Sequence, residues 1–108
     1  LQDHIWPAEA KWVSPDFVEV GTAIAIAEML TAGVTCFSDM YFFPERAVAV
    51  ARELGIRMVA GLIVIDVPTA YASGADECFA KARALYDEQY SLARFREVIS
   101  RHARVRES

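Results

Sequence analysis

Two apolar stretches, residues 34–41 (VTCFSDMY) and 56–66 (IRMVAGLIVID), flank a segment that opens with Pro44 and closes with Gly55. No other feature restricts the fold as tightly. Each stretch is rich in β-branched or aromatic residues and too short for an average helix, so both are expected to be strands. Between them Val48, Ala51 and Leu54 repeat at helical spacing, with Arg46, Arg52 and Glu53 outside that stripe. Strand, short helix and strand make a right-handed βαβ crossover, which requires the strands to be parallel. The second stretch is almost continuously apolar, as expected of a strand covered on both faces.

The flanking segments continue the alternation. Ser14, Pro15 and Asp16 supply a capping hydroxyl, a proline at the first helical position and an acid at the positive end of the helix dipole. Gly33 marks the stop. Within this helix Phe17, Val20, Ile24, Ala27 and Leu30 or Thr31 are expected to press on a sheet, while Gly21, Ala23 and Ala25 keep it slim. After the second strand, the loop 67–74 carries Pro68 and Gly74, and Ser73 with Asp76 forms a possible capping box. The helix that follows is expected to reach about Tyr90, turning Cys78 or Phe79, Ala82, Leu85 and Tyr86 inward. Beyond Ser91, Phe95, Val98 and Ile99 suit a short strand and the arginines suit a continued helix.

The order α-β-α-β-α is a section of an alternating α/β architecture, either a doubly wound sheet or a (β/α)8 barrel. A barrel takes roughly 250 residues, whereas this chain has 108. Length and composition fit one domain, so the chain is expected to be a piece of one. Leu1 to Trp6 read as the middle of a longer segment. Two or three parallel strands would leave unpaired edges, through which the piece could self-associate.

Charge and motifs remove several function classes. Residues 94–108 hold five Arg and two Glu, yet the whole chain carries a net charge of −4, so the remainder would repel phosphate and nucleic acid is not an expected partner. The apolar runs fall short of the ~20 residues that span a bilayer, and no signal-peptide pattern opens the sequence; a soluble, cytoplasmic protein is expected, with no membrane partner. Cys36 and Cys78 lie in apolar periodic segments, where buried small hydrophobes are expected rather than a disulfide or a zinc knuckle. There is no GxGxxG, Walker loop, GxSxG or HExxH. His4 and His102 are 98 positions apart and make no spaced ligand pair, so no catalytic or metal-ligating residue is assigned within this chain. In either α/β architecture ligands sit at the carboxyl ends of the strands, here residues 39–43 and 66–73. Asp39 and Asp66 could serve such a site or cap neighbouring loop amides.

The strings LQDHIWPAEAKWVSPDF, IAEMLTAGVTCFSDMYFFPE and GIRMVAGLIVID closely resemble the amidohydrolase superfamily. Within it, they are most similar to the 5-methylthioadenosine/S-adenosylhomocysteine deaminase branch and related TRZ/ATZ-type hydrolases, over residues 1–90. The resemblance implies a partial (β/α)8 TIM barrel holding the second and third βα units. It also implies a parent enzyme that uses zinc to replace the amino group at C6 of an adenine ring by oxygen from water. The family's zinc ligands map onto nothing here, so zinc belongs to the parent and none is expected to bind this chain alone. The isolated chain is expected to be inactive.

One substrate contact carries over, and a second position keeps register with another. Glu9, in the WPAE string, matches the family glutamate that accepts the ribose hydroxyls; its alternative is an ordinary exposed acid near a helix start. A carboxylate suits a vicinal diol because two oxygens can accept two O–H donors. His102 keeps register with a histidine that touches substrate in relatives, although the tail 91–108 departs from their pattern. The family arginine that grips the amino-acid carboxylate of S-adenosylhomocysteine falls on Leu62, and no arginine occurs at 69–76. A neutral thioether nucleoside or another aminated ring is therefore an equal candidate substrate.

Overall fold

The computed structural model describes residues 1–90. Along the chain come α1 (Ile5–Trp12), α2 (Pro15–Thr31), β1 (Cys36–Asp39), α3 (Pro44–Leu54), β2 (Arg57–Ala60) and α4 (Ala75–Tyr90). The strands are parallel, with Cys36 opposite Arg57 and Asp39 opposite Ala60. The expected α-β-α-β-α order is therefore present, preceded by one helix that was not expected. Residues 91–108, and with them the choice between strand and helix there, lie outside the described residues.

Local chemistry sets the helix ends. Ser14 Oγ accepts from Phe17 N at 3.1 Å, with Pro15 and Asp16 in the first turn of α2. Gly33 and Gly55 take φ of +83° and +81°, which only glycine adopts without steric cost, and so close α2 and α3. In each case the next amide reaches back five residues, Val34 N to Met29 O at 2.8 Å and Ile56 N to Ala51 O at 3.1 Å. The start of α4 differs from the expected box. Glu77, not Asp76, accepts from both the Ser73 amide and the Ser73 hydroxyl at 2.7 Å, because the helix begins at Ala75 and its first turn brings Glu77 back over Ser73.

Both strands are shorter than expected. Of the stretches 34–41 and 56–66, only four residues each join the ladder, which closes where Gly61 N donates to Asp39 O at 2.8 Å. Beyond Asp39 the chain turns into α3, so residues 62–65 have no strand to pair with among the described residues. Nor is β2 covered on both faces: Met58 and Ala60 are buried, while Arg57 is exposed and Val59 half-buried. Cys36 shares that open face and is exposed, contrary to expectation, whereas Cys78 is buried as expected.

The core lies between α3, the covered face of β2, and the inner sides of α2 and α4. Ile26, Val48 and Cys78 are its most enclosed large side chains, and full burial of a branched aliphatic side chain contributes roughly 1.5–3 kcal/mol. In α3, Ala47, Val48, Val50 and Ala51 face inward, and Leu54 remains exposed. In α4 Cys78 and Leu85 are buried, while Phe79 is exposed. The expected inner face of α2 is corrected: Phe17, Val20 and Ile24 are 54%, 60% and 59% exposed, and Val18 with Ile26 forms the buried side. Apolar residues run almost all the way round this helix, so spacing fits several faces and the neighbour decides. That neighbour is α3, across which Arg46 pairs with Glu19 at 2.6 Å.

Candidate functional site

The carboxyl ends of the two strands meet in one aromatic cluster. Tyr41 and Phe42, just past β1, have ring centroids 4.9 Å apart. Tyr71, in the loop after β2, stacks on Phe42 and stands edge-on to Phe43 at 5.4 Å. Phe43 adopts a left-handed backbone at φ +53°, a conformation costly for a bulky residue, held here by its burial between Tyr71 and α3. From α4, Lys81 lies over the Tyr71 ring at 4.5 Å and donates to the Tyr71 carbonyl. Burial first, then the charges of Glu45, Cys78 and Glu77, push the Tyr71 phenol up to about 12.

Glu9 comes to this end of the sheet from α1. Every other residue of α1 is exposed, and Glu9 alone is half-buried. Its Oε1 accepts the Tyr41 hydroxyl at 2.8 Å, across 32 positions of sequence. Removal of the phenol from water, then the hydrogen bond to Glu9 and the charge of that carboxylate, push Tyr41 up to about 12. The phenol therefore stays a donor over the whole neutral range.

A cavity of about 320 Å3 lies between α2 and β1, lined by Phe17, Val18, Met29, Phe37, Ser38 and Asp39 among others. Successive strand residues point to opposite faces, so a wall built from three consecutive ones is the edge of β1 rather than a face. The other edge is occupied by β2. Among the described residues no three His, Cys, Asp or Glu side chains gather closely enough to hold a metal ion. No described helix is long and apolar enough to cross a membrane.

Comparison with known proteins bears on what this arrangement serves. The sequence model of the amidohydrolase family matches residues 1–106. This chain belongs to the amidohydrolase family. Among its relatives, the 5-methylthioadenosine/S-adenosylhomocysteine deaminase of Saccharophagus degradans is 49% identical over 85% of the chain and 21% of that protein. The enzyme of the same name from Thermodesulfovibrio yellowstonii is 47% identical over 95% of the chain and 24% of that protein. A crystal structure of an adenosine deaminase from Xanthomonas campestris with bound zinc superposes with a TM-score of 0.78 at 49% identity, over 82% of this chain and 20% of that one. The chain thus spans between a fifth and a quarter of the length of these relatives.

Within this amidohydrolase chain the expected site residues fare differently. Glu9 is placed beside the loop leaving β1. His102 lies outside the described residues. Asp39 ends β1 and lines the cavity, whereas Asp66 stands six positions beyond the end of β2, within 4.0 Å of the space above Gly74. His4 is exposed, and the described residues offer no donor set that fits the zinc of the Xanthomonas campestris protein. Tyr41 falls within the strand end 39–43 expected to carry ligands, but its pairing with Glu9 is visible only in the fold.

Proposed function

We propose that the chain is a section of a (β/α)8 catalytic barrel, residues 1–108 falling within one domain and contributing its second and third strand–helix units. The parent protein would hydrolyse the exocyclic amino group from an adenine nucleoside, taking up water and releasing ammonia. Three features support the barrel reading: the edge of β1 that pairs with nothing among the described residues, the cavity along it, and the exposed apolar stripe of α2. Exposed apolar patches of this kind mark missing neighbours. Zinc chemistry would rest on residues other than those described, and the same reading implies a soluble, cytoplasmic enzyme.

The part assigned to this chain is recognition of the ribose. The observation that carries it is the Glu9–Tyr41 hydrogen bond, which draws the one half-buried side chain of α1 to the carboxyl end of β1. There an ionised carboxylate can accept both O–H donors of a vicinal diol. His102 is proposed as a second substrate contact. Leu62, half-buried just past β2, offers no cation, so adenine nucleosides without a terminal carboxylate, or another aminated ring, are candidates equal to S-adenosylhomocysteine. In the full-length protein, Glu9→Gln is expected to raise KM for adenosine about tenfold, the order of one hydrogen bond to a charged group, with zinc content unchanged. An unaltered KM would take Glu9 out of the site.

A second reading concerns the 108-residue chain by itself. The outer edges of β1 and β2 pair with nothing among the described residues, which favours self-association without catalysis. A discrete oligomer by sedimentation supports it, and a monodisperse monomer opposes it.

A further inference from the structure

We propose that Tyr41 is a positioning residue for ribose recognition, its hydroxyl fixing the Glu9 carboxylate so that the remaining acceptor sites face the two ribose hydroxyls. This inference rests on the reading of Glu9 given above. The geometry behind it is specific. Helix α1 buries no residue, so its own packing gives Glu9 little to hold one rotamer. An unrestrained Glu surrenders rotamer freedom when it is ordered. Tyr41 meets that cost before substrate arrives, since its hydroxyl sits 2.8 Å from Glu9 Oε1 and its ring is held against Phe42, centroids 4.9 Å apart. Phe42 is buried in the core, so the chain of contacts runs from the packed interior through Tyr41 to the exposed helix.

Acceptor capacity permits the role. An ionised carboxylate offers about four lone-pair sites, and Tyr41 uses one of them. Oε2 and the second site of Oε1 remain, enough for two hydroxyl donors. The raised phenol, held protonated by burial and by Glu9 itself, keeps donating throughout the neutral range. Binding is strengthened when a contact group is already in its bound conformation, and the benefit should fall only on substrates that possess the diol.

The test uses the full-length enzyme carrying Tyr41→Phe, Glu9→Gln and both together, with adenosine and 2′,3′-dideoxyadenosine as substrates. Tyr41→Phe is expected to raise KM for adenosine about 5- to 10-fold, the scale of one charge-assisted hydrogen bond, with a smaller change in kcat. The dideoxy compound should lose far less, and the double variant should behave like Glu9→Gln. Tyr41→Leu, which also removes the hydroxyl, should lose the same discrimination, and provides the test if Tyr41→Phe does not fold. Equal loss on both substrates, or no loss with Tyr41→Phe while Glu9→Gln still abolishes the discrimination, overturns the role of Tyr41 and leaves Glu9 in place. If neither variant alters the ratio, Glu9 does not read the ribose and the inference falls with it.

Discussion

Helices α1 and α3 are both short and both contain alanine and proline, yet they are attached to the molecule in opposite ways. α3 buries Pro44, Ala47, Val48, Val50 and Ala51, packs on α2 and β2, and would leave cavities if trimmed. α1 buries nothing and reaches the body of the fold through the carboxylate of Glu9. The difference separates two uses of a helix: one supplies interior volume, the other presents a charged group at the rim of the sheet. Stability should reside in the first and recognition in the second.

The sharpest way to break that contrast is to remove volume from each region. Ile26→Ala, beneath α3, is expected to lower the stability of the full-length protein by about 2–5 kcal/mol, because a cavity adds to the lost transfer energy. Lys11→Ala, on the exposed surface of α1, should change it by less than ~0.5 kcal/mol. Urea midpoints measure both, and equal losses would erase the distinction. These two values should be read beside the KM effects of Glu9→Gln and Tyr41→Phe, which are expected to reverse the ranking.

A smaller effect sharpens the comparison at α4. Ser73 donates twice to Glu77, and Lys81 lies 3.2 Å away, which together lower Glu77 from 4.5 to about 2. The unfolded chain thus takes up a proton near 4.5 that the folded chain refuses until about 2. The stabilisation is present above the upper value and is lost as pH falls through the lower one. Because Glu77 is solvent-exposed, screening keeps the effect small. Melting temperature should fall less steeply between pH 4.5 and 2 for Glu77→Gln than for the parent sequence; identical slopes would show that this clamp contributes nothing.

The same contrast explains what could be read from the sequence. α3 announced itself, since Pro44, Gly55 and a buried stripe all agree, and Gly33 and Ser14 bounded α2 in the same way. α1 gave no such signal: His4 makes no capping bond and no face is buried, so neither a start motif nor a periodicity exists to find. The buried side of α2 could not be chosen because its sequence is apolar all round, and only contact with α3 selects Val18 and Ile26. Strand lengths were overstated for a related reason, since apolar composition shows that a segment can pair but not how far a partner extends beside it. Glu9 was found through likeness to a family, whereas its partner Tyr41 became evident only when the fold brought position 41 to position 9.

The most direct test is a crystal structure of the full-length enzyme with an adenine nucleoside that is not turned over. The account predicts both ribose hydroxyls within hydrogen-bond distance of the Glu9 carboxylate, with the Tyr41 hydroxyl still on Oε1. A ribose bound elsewhere, with Glu9 turned to solvent, would contradict it.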